Sequence, residues 1–185
     1  FAMAIMLLLV IILVRTSLID EWKTQMPEDA PNHFMINIGP EDVQPIEHLL
    51  RTENIPSEAF YPMIRGRIMS INDESLPSTD DVEQNRRQRE TNFTWSDAAP
   101  AENELVAGQW WASGTDRAVV SLEEEFAERL DITVGDTMGF LVGSQPLEAE
   151  VTSIRQLDWQ SMRPNFYLVF PPKLLAPYPA TFMTS

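Results

Sequence analysis

The acidic run Glu123-Glu124-Glu125 and the two histidines, His33 and His48, are the first residues to ask about chemistry. Paired carboxylates divide acid and base work when their surroundings pull their pKa values apart. Here the run follows Ser121-Leu122-Glu123-Glu124, which matches a capping box: the hydroxyl takes an amide at the helix start and the glutamate reaches back. Acids in a first helical turn are favoured by the helix dipole and need no catalytic reason. The histidines lie fifteen residues apart in a chain without cysteine, a poor ligand set for structural zinc and no basis for a disulfide. The sequence contains no Gly-x-Ser-x-Gly elbow, no Gly-x4-Gly-Lys phosphate loop and no Asp-x-Asp-x-Asp-Gly calcium loop. Arg86, Arg87 and Arg89 could gather an anion, but Asp80, Asp81 and Glu83 beside them suffice as ion-pair partners. The sequon Asn92-Phe93-Thr94 is too short a pattern to weigh. The expectation is a non-catalytic chain without cofactor or metal.

Large apolar side chains in polar surroundings are more informative. Trp95, Trp110, Trp111, Trp159, Met162 and Phe166 all sit in such stretches. Aromatic residues bury much area at low entropic cost and so anchor interfaces as well as cores. Trp95 and Trp110 suit an interior. Gln160-Ser161-Met162-Arg163-Pro164-Asn165 reads as a turn outside the sheet, where Trp159 and Met162 either plug the domain's own core, the reading favoured for Trp159, or meet a partner, the reading favoured for Met162. Trp159, Met162, Arg163 and Phe166 are therefore the candidate contact residues for a partner or cargo.

The 185 residues carry 13 Lys+Arg against 28 Asp+Glu, a net charge of -15, with 44% apolar residues. The apolar share is enough for a core, and the length suits one domain or two small lobes. Nucleic acid is excluded as a partner, since phosphate neutralisation needs clustered Lys/Arg and only Lys23 and Lys173 are lysines.

Residues 1–14, FAMAIMLLLVIILV, contain no polar side chain. A membrane span takes about 20 residues, so the run reads as the C-terminal part of a truncated transmembrane helix, ending at Arg15. A signal peptide would begin with a basic region and end in a small-residue cleavage site, and a core helix of this length would have a polar face; neither pattern is present. Only Arg15 and Lys23 follow within twenty residues, which favours an outward-facing domain. Residues 16–32, with Pro27 and Pro31, form a stalk, and 33–185 form the domain proper.

Within that domain, 33–38 predicts a strand. Pro40, Glu41 and Asp42 start a helix whose stripe is Val43, Ile46, Leu49 and Leu50, and 59–72 predicts a second strand. The result is a βαβ or split-βαβ unit. Residues 73–90 are nearly devoid of apolar side chains and predict a flexible loop. Strand character resumes at 93–95 and 104–111. A helix with Leu122, Phe126, Ala127 and Leu130 on one face follows, then strands over 137–142, 147–154 and 166–170. The fold class is α+β, a mixed two-lobed domain.

Six blocks carry a resemblance: APNHFMINI, FYPMIRGRIMSIN, NRRQRETNFTW, VAGQWW, VSLEEEFAERLDITVGD and VTSIRQLDWQSMRPNFYLVFPP. Together they resemble the extracytoplasmic domain of YbbP-like ABC transporter permeases, within the MacB/FtsX-like superfamily. The shared superfamily signature falls here on Leu130, Ile132, Gly135, Asp136 and the strand from Val151 to Arg155. The resemblance implies a MacB-like periplasmic core joined to a permease of the bacterial inner membrane. It further implies a separate cytoplasmic ABC ATPase as partner, a periplasmic hydrolase of the lysophospholipase/esterase type, and a hydrophobic or lipid-like cargo. The domain would then pass ATP-driven motion outward by mechanotransmission. The alternative from another class is a membrane-tethered periplasmic sensor or substrate-binding module without a transport role, which calls for a concave pocket with convergent polar groups.

Residues 73–90 bury too little apolar area to offset roughly 1–2 kcal/mol of backbone entropy per residue. Limited proteolysis of the chain is expected to cut first within this segment; first cleavage inside 121–142 would contradict the layout.

Overall fold

A computed structural model describes residues 3, 5–7, 10–15, 33–76, 90–100, 103–158 and 164–185. The described positions between 3 and 15 are helical and exposed. Among the described residues no helix is long and apolar enough to cross a membrane. The expected stalk at 16–32 lies outside the described residues.

Strand β1 (Met35–Ile38) leads into helix α1 (Val43–Thr52), and β2 (Tyr61–Ile71) follows. The helix starts later than the sequence suggests, and residues 40–42 form a turn instead. Pro45 accounts for the delay. It has no amide hydrogen to donate backwards, and a start at Val43 places it in the first turn, where that loss is harmless. Of the predicted stripe, Leu50 is buried and Leu49 is exposed.

The two strands are not neighbours. Between them lies β10 (Thr181–Thr184), antiparallel to both, with Met35 opposite Thr184 and Met63 opposite Thr181. This is the split form of the βαβ unit. Its middle strand went unread because four residues after the Pro-containing stretch 177–180 are too few for an alternation to register.

The sequence expectation of a loop over 73–90 is trimmed at both ends. Asn72 and Asp73, both with positive φ (48° and 65°), turn the chain so that β3 (Glu74–Ser75) folds back on β2. That pair of left-handed residues suits a tight hairpin. At the other end β4 (Glu90–Trp95) already begins at Glu90. Residues 77–89 lie outside the described residues.

The remaining elements are β5 (Glu104–Gly108), β6 (Val119–Glu123), α2 (Glu124–Arg129), β7 (Thr137–Val142), β8 (Gln145–Gln156), β9 (Leu168–Phe170) and α3 (Pro172–Leu175). Here the capping prediction is corrected. Ser121 is a buried strand residue whose hydroxyl accepts a hydrogen bond from Ser153 Oγ at 2.9 Å, and the helix cap is Glu123. Strand β6 runs on past Ser121 because both its edges are paired, with β8 on one side and β9 on the other.

In place of two separate lobes, the ten strands form one hydrogen-bonded sheet that closes on itself. Following the pairs around gives β2, β4, β9, β6, β8, β7 and β2 again, a closed barrel of six strands. The pairs β4–β9 and β6–β8 are parallel and the others antiparallel. Closure pairs both edges of the barrel strands over most of their length. The long strands β2 and β8 flank β7 and extend beyond it, so β2 also carries β10 and β1 while β8 also carries β5.

The barrel is filled by the inward residues of each strand, among them Ile64, Ile68, Val120, Leu122, Met138 and Val151. At its centre Phe93, Phe140 and Phe170 contact one another with ring centroids 5.2–5.3 Å apart. Gly66 makes this arrangement fit, since a Cβ there would overlap the Phe93 ring.

One corner of the barrel is held by Asp136. Its carboxylate accepts from Thr133 N (2.6 Å) and Thr133 Oγ1 (3.0 Å), and from Asn72 Nδ2 (2.8 Å). Asn72 Oδ1 in turn accepts from Thr137 N at 2.9 Å, which joins the β2–β3 turn to the start of β7. The Thr133 amide, then the Asn72 amide group, hold the Asp136 carboxyl below its ordinary value of 3.8. A depressed carboxylate stabilises the fold fully above its unfolded value and loses that contribution as pH falls through the folded one. The melting-temperature gap between the wild-type chain and Asp136→Asn is therefore expected to be constant near neutrality and to shrink below about pH 4. A gap that does not change with acidification would contradict this role.

Candidate functional site

The segment marked by its aromatic and Met residues leaves the barrel at the end of β8 and returns in β9. Trp159, Met162 and Arg163 lie outside the described residues. Phe166 is described, and its side chain is buried. Both ends of the segment are fastened. Leu157 is buried, Asn165 Nδ2 donates to Asp158 O at 3.2 Å, and Arg155 Nη2 donates to Phe166 O at 2.6 Å. The Glu123 amide donates to Tyr167 O at 2.9 Å, and the Tyr167 ring stacks on Phe126 at 5.5 Å.

Arg155 is the unusual member of this base. On β8 the residues Ala149, Val151, Ser153 and Arg155 share the buried face, so the alternation of the strand carries an arginine inward. It is 1% exposed, and its Nε and Nη1 have no hydrogen-bond partner among the described residues. Burial pushes its pKa down to about 10, opposed by the Glu123 carboxylate, so the guanidinium is still charged at neutral pH. Glu123 stands opposite Arg155 in the parallel β6–β8 register and is itself 2% exposed. Its carboxylate is fully engaged as the cap of α2, accepting from Glu125 N at 3.0 Å and Phe126 N at 2.7 Å. The pair thus ties three things together: a helix start, two barrel strands and the returning end of the segment. Sequence reading placed Arg155 at the end of the signature strand but gave it no role. The available signal was a charged residue on the inward phase of an otherwise apolar and small-residue strand.

A second aromatic group lies beyond β5. Trp110 and Trp111 stack with centroids 4.0 Å apart, and Trp110 Nε1 donates to Asp97 O at 3.1 Å. The Asp97 carboxylate accepts from the Ser113 hydroxyl and from Gly114 N at 2.7 Å; Ser113 first, then Gly114, lower its pKa. Both tryptophans are half-buried, and Trp95, also half-buried, packs against the core and edge-on against Phe182. Among the described residues no group of three or more His, Cys, Asp or Glu is placed to hold a metal ion.

The signature positions are explained by packing and turns. Ile132 is buried, Gly135 has φ of 99°, and its amide donates to Val151 O at 2.8 Å while Val151 N donates to Asp136 O at 2.8 Å. They fasten the turn before β7 to β8.

No family model matches the chain. An uncharacterized ABC transporter permease, YbbP, of Escherichia coli K12 is 40% identical over 185 residues, which is 100% of this chain and 22% of that protein. The chain therefore spans about a fifth of that relative's length. Among solved structures, a domain of a protein assigned as a permease from Porphyromonas gingivalis has a TM-score of 0.44 at 14% identity, covering 84% of this chain and 76% of that one.

Glu123 and Arg155 are buried opposite charges on neighbouring strands that act on each other through the local field rather than through a hydrogen bond, so removing one leaves the other's charge less compensated. Glu123→Ala deletes the helix cap as well, so a loss of about 1–2 kcal/mol or more is expected. Arg155→Met in the Glu123→Ala background is expected to recover part of that loss, since the stranded cation is gone. Urea unfolding of the single and double variants checks this, and strictly additive losses would refute the coupling.

Proposed function

The chain matches a YbbP-like ABC transporter permease along its whole length, and on that premise we propose that it is the outer domain of such a permease, coupling ATP hydrolysis to movement on the far side of the membrane. In this reading residues 1–15 are the end of a transmembrane helix, 16–32 the stalk and 33–185 a periplasmic domain. A separate cytoplasmic ATPase supplies the energy. The cargo is hydrophobic or lipid-like, and a periplasmic hydrolase of the lysophospholipase/esterase type acts beside the permease. Met162 and Arg163, with Trp159 either beside them or folded onto the core, are the proposed partner or cargo contacts, next to the buried Phe166.

The observation that carries the reading is the pairing of β1 with β10. Among the described residues the first and last strands lie side by side, with Met35 opposite Thr184. A domain inserted between two membrane segments needs its incoming and outgoing strands together, and here both are hydrogen-bonded into the sheet that continues into the barrel through β2. Relative movement of the two attachments would load that pair directly.

The chain contains no cysteine, which suits single-site labelling. Spin labels at Arg15→Cys and Ser144→Cys, in the full-length permease assembled with its ATPase in a membrane, are expected to change separation by several ångströms between nucleotide-free and ATP-trapped states. An unchanged distance distribution would reject coupling and favour a tethered sensor or binding module.

A further inference from the structure

Strand β2 changes partners along one edge. β10 ends opposite Met63 and β7 begins opposite Gly66, so Ile64 and Arg65 face no strand on that side. The gap opens into a groove of about 350 Å³. Met63 and Pro179 give it apolar walls, the buried Val142 closes its floor, and Asn37, Arg65 and Thr181 are the polar groups around it.

Arg65 sets the chemistry. Arg51, Arg67, Arg117 and Lys173 each pair with a carboxylate, whereas Arg65 is exposed and makes no ion pair or side-chain hydrogen bond with any described residue. In a chain with 28 acids and 13 bases, a cation left unpaired beside an apolar groove is complementary to an anion that brings an apolar tail. The groove's size, near the lower end of small-molecule sites, suits one tail better than two. We infer that the groove binds a free single-tailed amphiphile with an anionic head of the carboxylate type. The tail lies along Met63 and Pro179 over the floor formed by Val142, and the head meets the Arg65 guanidinium. This site is separate from the coupling role, which the spin-label distances test by themselves.

The test is a titration of the isotope-labelled 185-residue chain with laurate below its micelle concentration, followed by amide NMR. The amides of Arg65, Gly143 and Thr181 are expected to shift saturably. Neutral dodecyl maltoside should leave them in place. Arg65→Glu should weaken the apparent affinity about tenfold, and Arg65→Gln by less, with the rest of the spectrum preserved in both. Arg117→Glu, on an already paired arginine elsewhere, should change nothing. Shifts confined to residues 3–15, equal shifts with dodecyl maltoside, or indifference to both Arg65 variants would each overturn the proposal. So would groove shifts that appear only with phosphatidylglycerol vesicles, since the ligand would then be a bilayer lipid.

Discussion

Strand β7 is the constraint on which the rest of the molecule hangs. It hydrogen-bonds to β2 on one side and β8 on the other, and by doing so it closes six strands into a barrel. Closure fixes which face of each strand points inward, because a slip of one residue would turn every side chain to the wrong side. It also creates the space in which Phe93, Phe140 and Phe170 meet, and three mutually touching rings need one strand to give way. Gly66 on β2 does so. The aromatic centre and the barrel register are thus one arrangement seen from two directions.

The charge distribution follows from the same closure. A chain at -15 keeps its carboxylates in water, where their repulsion is screened over about 8–10 Å at physiological salt. Glu123 and Arg155 depart from that pattern and lie at one end of the barrel, where β6, β8 and β9 come together. Burying such a pair is weak grounds for stability, because desolvation offsets most of the attraction. Its effect here is positional. The carboxylate fixes where α2 begins, and the guanidinium fixes where the chain re-enters the sheet at Phe166.

The hairpin of β7 and β8 was legible in the sequence to within two residues at most ends, because Gly143-Ser144 separates two runs of clear alternation. Strand β2 was legible for the same reason, its buried residues alternating from Pro62 through Ile68. The capping box at Ser121 was misread because a local pattern competes with a tertiary one. Ser121 suits a helix start in isolation, but two neighbouring strands claim its backbone and Ser153 claims its hydroxyl. Strand β10 was missed because its reason for existing is non-local: Thr181–Thr184 is a strand only because β1 and β2 stand on either side. Of the proposed contact residues, the sequence marked a segment whose base is well ordered by Arg155 and Asn165. It did not mark Arg65, which is notable only once its side chain is seen to pair with no described residue.

Antiparallel pairing of the first and last strands bears on how a load would travel. Met35 and Thr184 face each other at one end of the β1–β10 pair, and Ile38 and Phe182 lie further in. If the segments attached at that end move together, the pair is carried as a unit and its hydrogen bonds share the force. If they separate, the bonds open one after another from Met35 inward, a much softer response. A stiff transmission therefore requires the two attachments to move in the same direction. In that case force passes from β10 into β2, and β2 is itself part of the barrel wall through β4 and β7. The groove at Arg65 lies where β2 hands over from β10 to β7, at the junction between the paired end strands and the closed barrel. A ligand wedged there would bridge the two and stiffen the one stretch of that path in which β2 has a free edge.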